Sequence, residues 1–400
     1  MRSRTEKALV VICSLLAVAQ AVLVTYFGYA NFYRDYHAAL LIVAMLLGGL
    51  LSSAVSCVFH ELGHILFGKI CGFRFNALHV WFFHIVKSGG KMRIRFGRMP
   101  EGEAGSAEML PMSSEKMRSR YCLVTAGGLV FSFLWFVGAL LALIFAHGAP
   151  FAVYALIATS LPYAFYLFAC NILPFSDPPT DGAILLGLAR GDAASLTAVN
   201  ILSIEGYLMR GDTPSQIPEE LYYGAPQLPE DDGNFILLTD YRLARALDEG
   251  DARTAAALSD RLKGLAQFVP SYCRLEVAAD VLFVECSVKQ DVKEAQRLYP
   301  ALRQYLKGER TVTAQRIAAA YELFAGGDRA ACLRHLSAAQ ELAEACTVPG
   351  AVLFERKLLA CIREELEQRY GEEAGGRLPQ IKFEEKNDPD RNFIDGMRRL

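Results

Sequence analysis

Five residues, His60-Glu61-Leu62-Gly63-His64, carry the strongest chemical signal in this chain. On a helix, His60 and His64 lie one turn apart on one face, so two imidazoles can hold one divalent ion, with zinc the expected one. Glu61 stands beside them, placed to take a proton from a water at that ion. The plainer alternative is a polar helix end facing water. Against it, Leu41 to Phe59 is almost entirely apolar, and ionisable side chains at membrane depth are costly and rarely idle.

Those residues need elements to hold them, and the apolar runs supply candidates. The hydrophobic fraction of 53% averages two unlike halves. Residues 1 to about 185 hold the long apolar stretches, and the remainder reads as soluble, charged and helical. Four spanning helices are predicted, at about 8–28, 38–66, 121–147 and 152–174, each near or above the roughly 20 residues a crossing needs. The second is long enough to require tilt, or a bend near Gly48-Gly49. The first has a second reading as a signal peptide, because Arg2, Arg4 and Lys7 precede its apolar core and Ala17-Val18-Ala19 makes a passable cleavage site. The ten cysteines are scattered with no Cys-x-x-Cys pair, which favours free thiols in a reducing compartment over a disulfide framework. A soluble secreted protein is excluded by the apolar runs, and no nucleic-acid partner is expected.

Charge sets the orientation. The connection from Phe67 to Arg120 carries ten Lys or Arg residues, whereas residues 29–37 carry only Arg34. By the positive-inside rule, the 67–120 loop and both termini are cytoplasmic. The expected location is multi-pass, in the plasma membrane of a prokaryote. His60 and His64 then lie at the cytoplasmic end of the second crossing, and the fourth crossing returns to that side. A third ligand belongs near its C-terminal end. The sequence there, Asn171-Ile172-Leu173-Pro174-Phe175-Ser176-Asp177-Pro178-Pro179-Thr180-Asp181-Gly182, cannot remain helical through its prolines. Irregular backbone at membrane depth is tolerated only inside protein or against a water-filled cavity. Asp177 and Asp181 are the carboxylates available there, unless both are solvated in an ordinary helix stop.

An HExxH motif in one membrane helix, followed after a third crossing by Asn-x-x-Pro and Asp-Gly, resembles the site-2 protease family of intramembrane zinc metalloproteases. The resemblance covers about residues 40–190. It implies His60 and His64 as imidazole ligands to one zinc, Glu61 as catalytic base and Asp181 as the carboxylate ligand. Asn171 and Pro174 match the Asn-x-x-Pro, with Asn171 a candidate contact to substrate or oxyanion. The Asn-to-Asp spacing is two residues longer than in the commonest form, which leaves Asp177 as the rival ligand. The family's second glycine is Ala183 here, and its Gly-Pro pair in the third crossing is Gly127-Gly128, which reads equally as close helix packing. The implied substrate is a membrane-spanning segment of another protein.

Residues 73–98 alternate loosely and are rich in Phe, Val, Ile and Trp, with Ser88-Gly89-Gly90 as a turn. A membrane-associated β-hairpin is predicted; in the family, similar strands border the active site and suit strand addition by substrate. His79 and His84, five apart, are expected on opposite faces of a strand, as satisfied or interfacial residues. Residues 211–233 are rich in proline and acid and read as a linker. Beyond them, Asp251, Asp291 and Asp328 each look like helix N-caps, spaced 40 and then 37 residues apart. That spacing weakly resembles a tetratricopeptide-type array of helical hairpins, with a plain bundle as the alternative. Such an array would present a surface to a protein partner.

The expected fold is therefore mainly α: a four-helix transmembrane metalloprotease core with a small β-hairpin, then a soluble α-helical repeat domain. The expected divisions are 1–37 for the first helix and outer loop, 38–190 for the core, 191–233 for connector and linker, 234–371 for the cytoplasmic helical region and 372–400 for a charged tail. The rival function is a catalytically inactive membrane scaffold that works through its helical repeats. A transporter is a poor third reading, since four crossings show no internal repeat.

Overall fold

A computed structural model of the 400-residue chain describes residues 4–88, 91–97, 104–145, 148–175 and 179–371. The charged tail expected at 372–400 lies outside these residues, as do Gly89 and Gly90 of the expected turn. The chain divides into two units, residues 1–111 with 116–195, and residues 112–115 with 196–400.

In the first unit, the apolar runs form four helices long and apolar enough to cross a membrane. They are α1 (Arg4–Phe32), α2 (Ala38–Ile70), α3 (Met117–Phe145) and α4 (Phe151–Ile172). Two of them start several residues before the expected bounds. The first turn of α1 includes Glu6, and α3 takes in the charged run Met117–Arg120. α2 continues as one helix through Gly48-Gly49. Those glycines face α4 closely: a Cβ on Gly48 would stand 3.3 Å from the Ala155 carbonyl.

Small polar groups tie these helices where apolar packing alone discriminates poorly. Ser52 Oγ lies 3.0 Å from Thr159 Oγ1, and Ser160 donates to Ser52 at 3.1 Å. Trp135 Nε1 donates to Ser56 Oγ at 3.0 Å and stacks on Phe59. Tyr154 binds α1 by donating to the Val24 carbonyl at 2.9 Å. All ten cysteines are free.

Between α2 and α3 the chain builds a four-stranded antiparallel sheet rather than one hairpin. Its strands are β1 (Phe73–Val80), β2 (Phe83–Ser88), β3 (Lys91–Phe96) and β4 (Gly105–Pro111), in the order β3-β2-β1-β4. The loose alternation in β1 has a specific cause. A bulge interrupts the β1–β4 register between Phe75 and Ala77, which leaves Asn76 as the extra residue. The inward face therefore switches phase, and Phe75, Leu78 and Val80 all pack with Ile85, Ala107 and Met109 against Cys57 and Ile65 of α2. The sheet thus rests on the stretch of α2 that bears the His-Glu motif.

The expectation that His79 and His84 face opposite sides is corrected. The chain reverses at Trp81-Phe82, with Trp81 at φ 55°, so the two histidines become direct cross-strand partners. Their Nδ1 atoms lie 2.6 Å apart, and His79 Nε2 is 3.1 Å from Glu108 Oε1.

After α4, a short α5 (Asp181–Arg190) is followed by α6 (Ala193–Arg210). In the second unit, the expected linker is folded. Pro214–Gln216 forms a 3₁₀ turn with a Thr213/Gln216 capping box, and α7 (Glu219–Tyr223) follows. Ile217 and Tyr222 are buried, and the Tyr222 hydroxyl donates to the Pro214 carbonyl at 2.9 Å. Proline-rich composition signals a turn here, while two large apolar side chains supply the burial that keeps it ordered.

The remaining helices are α8 (Gly233–Glu249), α9 (Ala252–Gly264), α10 (Arg274–Ser287), α11 (Val292–Gly308), α12 (Val312–Tyr321), α13 (Arg329–Ala345) and α14 (Pro349–Tyr370). Asp251, Asp291 and Asp328 cap α9, α11 and α13. Each accepts from the backbone N–H three residues on, at 3.0, 3.0 and 2.9 Å.

Candidate metal centre

The site is assembled from three helices of the first unit. α2 supplies His60, Glu61 and His64 from adjacent turns, with His60 and Glu61 6% and 5% exposed. α5 supplies Asp181 from its first residue. Three potential ligand atoms form a nearly equilateral triangle. His60 Nε2 and His64 Nε2 are 3.2 Å apart, and Asp181 Oδ2 lies 3.3 Å from the first and 3.4 Å from the second. Tetrahedral zinc with bonds of about 2.0–2.1 Å to such ligands requires edges of about 3.3–3.4 Å. The triangle fits one face of that tetrahedron.

The far sides of the rings fix what the near sides can do. His64 Nδ1 is 2.9 Å from the Val124 carbonyl, an acceptor only, so Nδ1 carries the proton and Nε2 presents a lone pair. His60 Nδ1 meets Ser132 Oγ at 2.8 Å, an oxygen that can accept the same kind of bond. With both rings in this tautomer, two nitrogen lone pairs and a carboxylate oxygen converge without a donor among them. Asp181 Oδ2 is buried and has no hydrogen-bond partner among the described residues. Such convergence is unfavourable unless a cation sits at the centre.

Space has been left for one. α3 approaches α2 without side chains at Gly127 and Gly128. A Cβ on Gly127 would stand 2.5 Å from the Gly63 carbonyl oxygen, so this glycine lets the two backbones touch. A Cβ on Gly128 would collide with His64 Nε2 and lie 2.8 Å from His60 Cε1. The two readings of Gly127-Gly128 therefore divide between the residues: the first serves helix packing, and the second keeps the face of the imidazoles clear.

Asp181 is held by the irregular segment ahead of it. Thr180 is the N-cap of α5 and accepts from Ala183 N at 3.4 Å. It also donates to the Leu173 carbonyl and accepts from Phe175 N, while the Phe175 ring is buried. Gly182 lies directly against the end of α4. A Cβ there would collide with the Ile172 carbonyl and stand 3.0 Å from that of Asn171. The Asp-Gly pair thus has a steric reason: only glycine lets α5 start where its first residue reaches the two histidines.

The side-chain amide of Asn171 donates to the Leu167 carbonyl at 3.0 Å. Asp177 lies outside the described residues. Among the described residues, His60, His64 and Asp181 are the one group of three or more ligand-type side chains gathered closely enough for a metal. Glu61 is covered by the sheet: a Cβ on Gly105, the first residue of β4, would lie 2.6 Å from Glu61 Oε1.

Sequence reasoning missed Ser132 and Gly105. Ser132 had a signal: it lies one turn beyond Gly128 on a largely apolar helix, as His64 lies one turn beyond His60. Gly105 had none, because its role depends on where β4 lies over α2.

A family model for peptidase family M50 matches residues 48–320. No curated protein matches, and no solved structure does.

Proposed function

The chain belongs to peptidase family M50, the site-2 protease family of membrane metalloproteases, and from that premise we propose that it hydrolyses peptide bonds in or beside membrane-spanning segments of other proteins. The observation that carries this reading is the triangle of His60 Nε2, His64 Nε2 and Asp181 Oδ2, with Glu61 adjoining it at one end of a long apolar helix. These three residues would hold zinc, with Ser132 and the Val124 carbonyl fixing the rings. Zinc bound there supplies Lewis acidity and brings the pKa of a water close to 7.

The protein's own groups then divide the work. Glu61 accepts the proton from the attacking water and passes it to the leaving amine. The α2–α3 contact at Gly63 and Gly127 and the sheet over Glu61 limit access of bulk water, which strengthens electrostatic interactions inside. A helical substrate hides its carbonyls in its own hydrogen bonds and must be unwound locally. β4 offers a means: among the described residues it pairs only with β1, so its outer edge can take an added strand beside Gly105 and Glu61. Asn171 is the candidate for a further substrate or oxyanion contact, on exchanging its bond to Leu167.

The positive charge of residues 67–120 supports a cytoplasmic active-site face, with both termini on that side, in the plasma membrane of a prokaryote. The three Asp-capped helices after residue 233 support a role for that region in holding a protein partner.

Glu61→Gln tests the mechanism in cells that express the full chain. Membrane-protein fragments present with the wild type should vanish with the variant, while the purified variant retains zinc. Undiminished cleavage by Glu61→Gln would refute the reading.

A further inference from the structure

Away from the metal centre, four helices of the second unit converge on a cavity of about 190 Å³. α8 brings Asp240, α10 Asp280, α12 Arg316 and α14 Glu355 to its wall. Much of the remaining lining is apolar, including Leu243, Leu247 and Phe354. Its charges are unequal. Arg316 is 1% exposed and largely committed: Nε donates to Glu355 Oε2 at 2.6 Å, Nη2 to Asp280 Oδ1 at 3.3 Å, and the guanidinium lies over the Phe283 ring, while Nη1 is buried with no hydrogen-bond partner among the described residues. Glu355 also accepts from Thr313 at 2.6 Å. Asp240 is the acidic group left over, because its Oδ1 is buried with no hydrogen-bond partner among the described residues.

Three carboxylates against one guanidinium leave this wall short of positive charge. A carboxylate oxygen buried without a partner is costly, and either a proton or a cation must offset that cost. The neighbouring polar groups are engaged elsewhere: the Tyr241 hydroxyl donates to Glu205 at 3.1 Å, and that of Tyr222 to Pro214. Asp280 keeps 24% exposure, so the acidic wall reaches solvent.

We propose that this cavity binds a small organic cation, a primary ammonium with a short aliphatic tail, its charge between Asp240 and Asp280 and its tail against Leu243, Leu247 and Phe354. An anion is disfavoured because three carboxylates outnumber the one guanidinium on this wall, even with Arg316 Nη1 unpartnered among the described residues. A bare metal ion would leave the apolar wall unused.

In the free protein a proton does the cation's work. Burial, with Asp280 and Glu276 adding to it, pushes the Asp240 carboxyl well above the usual range. Burial likewise raises Asp280 to about 6, against the opposing pull of Arg316 and with a contribution from Glu355. Ammonium binding therefore expels a proton. Affinity should rise with pH, by up to about tenfold per unit while Asp240 stays protonated in the free protein.

The experiment is titration calorimetry of the full chain in detergent with n-butylammonium, n-butanol and n-butyrate, at pH 6, 7 and 8. Saturable binding of butylammonium alone is expected, tightening with pH and accompanied by proton release into the buffer. Asp240→Asn should weaken it at least tenfold and remove the pH dependence between pH 7 and 8, leaving only the contribution of Asp280 near pH 6. An amide closely matches the protonated carboxyl of the free protein in shape and charge, so that variant should melt no lower than the wild type. The inference is overturned by no saturable amine binding, by butyrate or butanol binding as tightly, by a flat pH profile in the wild type, or by unchanged affinity in Asp240→Asn.

Discussion

Gly128→Ala puts the least possible matter into the most sensitive place. The added methyl carbon would stand 2.8 Å from His60 Cε1 and closer still to His64 Nε2. Unbonded carbons rest at about 3.5–4.0 Å, so His60 must retreat by about 0.7–1.2 Å or α3 must back away from α2. Metal–ligand distances are held to about ±0.2 Å, so the displacement is several times what the site tolerates. Disturbing a group behind a ligand typically costs 10–100-fold in metal affinity; moving the ligand itself should cost at least about 100-fold. The assay is competition for zinc against a chromophoric chelator, on purified full-length protein, with circular dichroism and gel filtration to show that it remains folded. Gly138→Ala on the same helix is the control, since a Cβ there meets nothing within 4 Å among the described residues. It should bind zinc as the wild type does. Wild-type affinity in Gly128→Ala would refute the placement of the metal between α2 and α3.

Two other expectations follow from the same structure. Ser132→Ala removes the partner 2.8 Å from His60 Nδ1 and should weaken zinc binding about 10–100-fold while Glu61 chemistry persists at saturating zinc, measurable as activity restored by added metal. In the second unit, burial raises the Asp248 carboxyl, but hydrogen bonds from Ser215, Thr213 and Lys357 outweigh it and hold the pKa below the usual value. A depressed carboxylate stabilises fully above its unfolded pKa of about 3.9, and that contribution is lost as pH falls through the folded value. Hydrogen exchange around residues 213–216, corrected for intrinsic rate, should therefore speed up below about pH 4. Asp248→Asn should lack this acid-triggered change; Asp240 and Asp280 act in the opposite sense at higher pH. Equal protection at pH 3 and pH 5 in the wild type would contradict it.

The chemistry was more legible in the sequence than the architecture around it. His60 and His64 follow from helical spacing, and the end of the fourth crossing had to return to the same side, which pointed to the segment containing Asp181. Local rules could not decide between Asp177 and Asp181, because a proline-rich stretch hides which carboxylate faces inward. The strand Gly105–Pro111 was missed because Gly-Ser-Ala-Glu lacks β-branched residues, and only its pairing with β1 makes it a strand. The meeting of His79 with His84 was hidden by a reversal at Trp81, a residue that rarely takes positive φ and so gives no turn signal. The packing of Ile217 and Tyr222 beneath the expected linker was likewise invisible, since it depends on partners such as Ile201, Ile204 and Leu238, most of them many residues away.

The most direct test is the metal itself. Elemental analysis and zinc-edge X-ray absorption on the purified full chain should find one zinc, with nitrogen and oxygen ligands at about 2.0–2.1 Å and the signature of two imidazoles. Asp181→Ala should lose most of that zinc or replace its carboxylate with water. A protein without zinc, or an absorption spectrum unaltered by Asp181→Ala, would contradict the convergence of α2 and α5 on one ion.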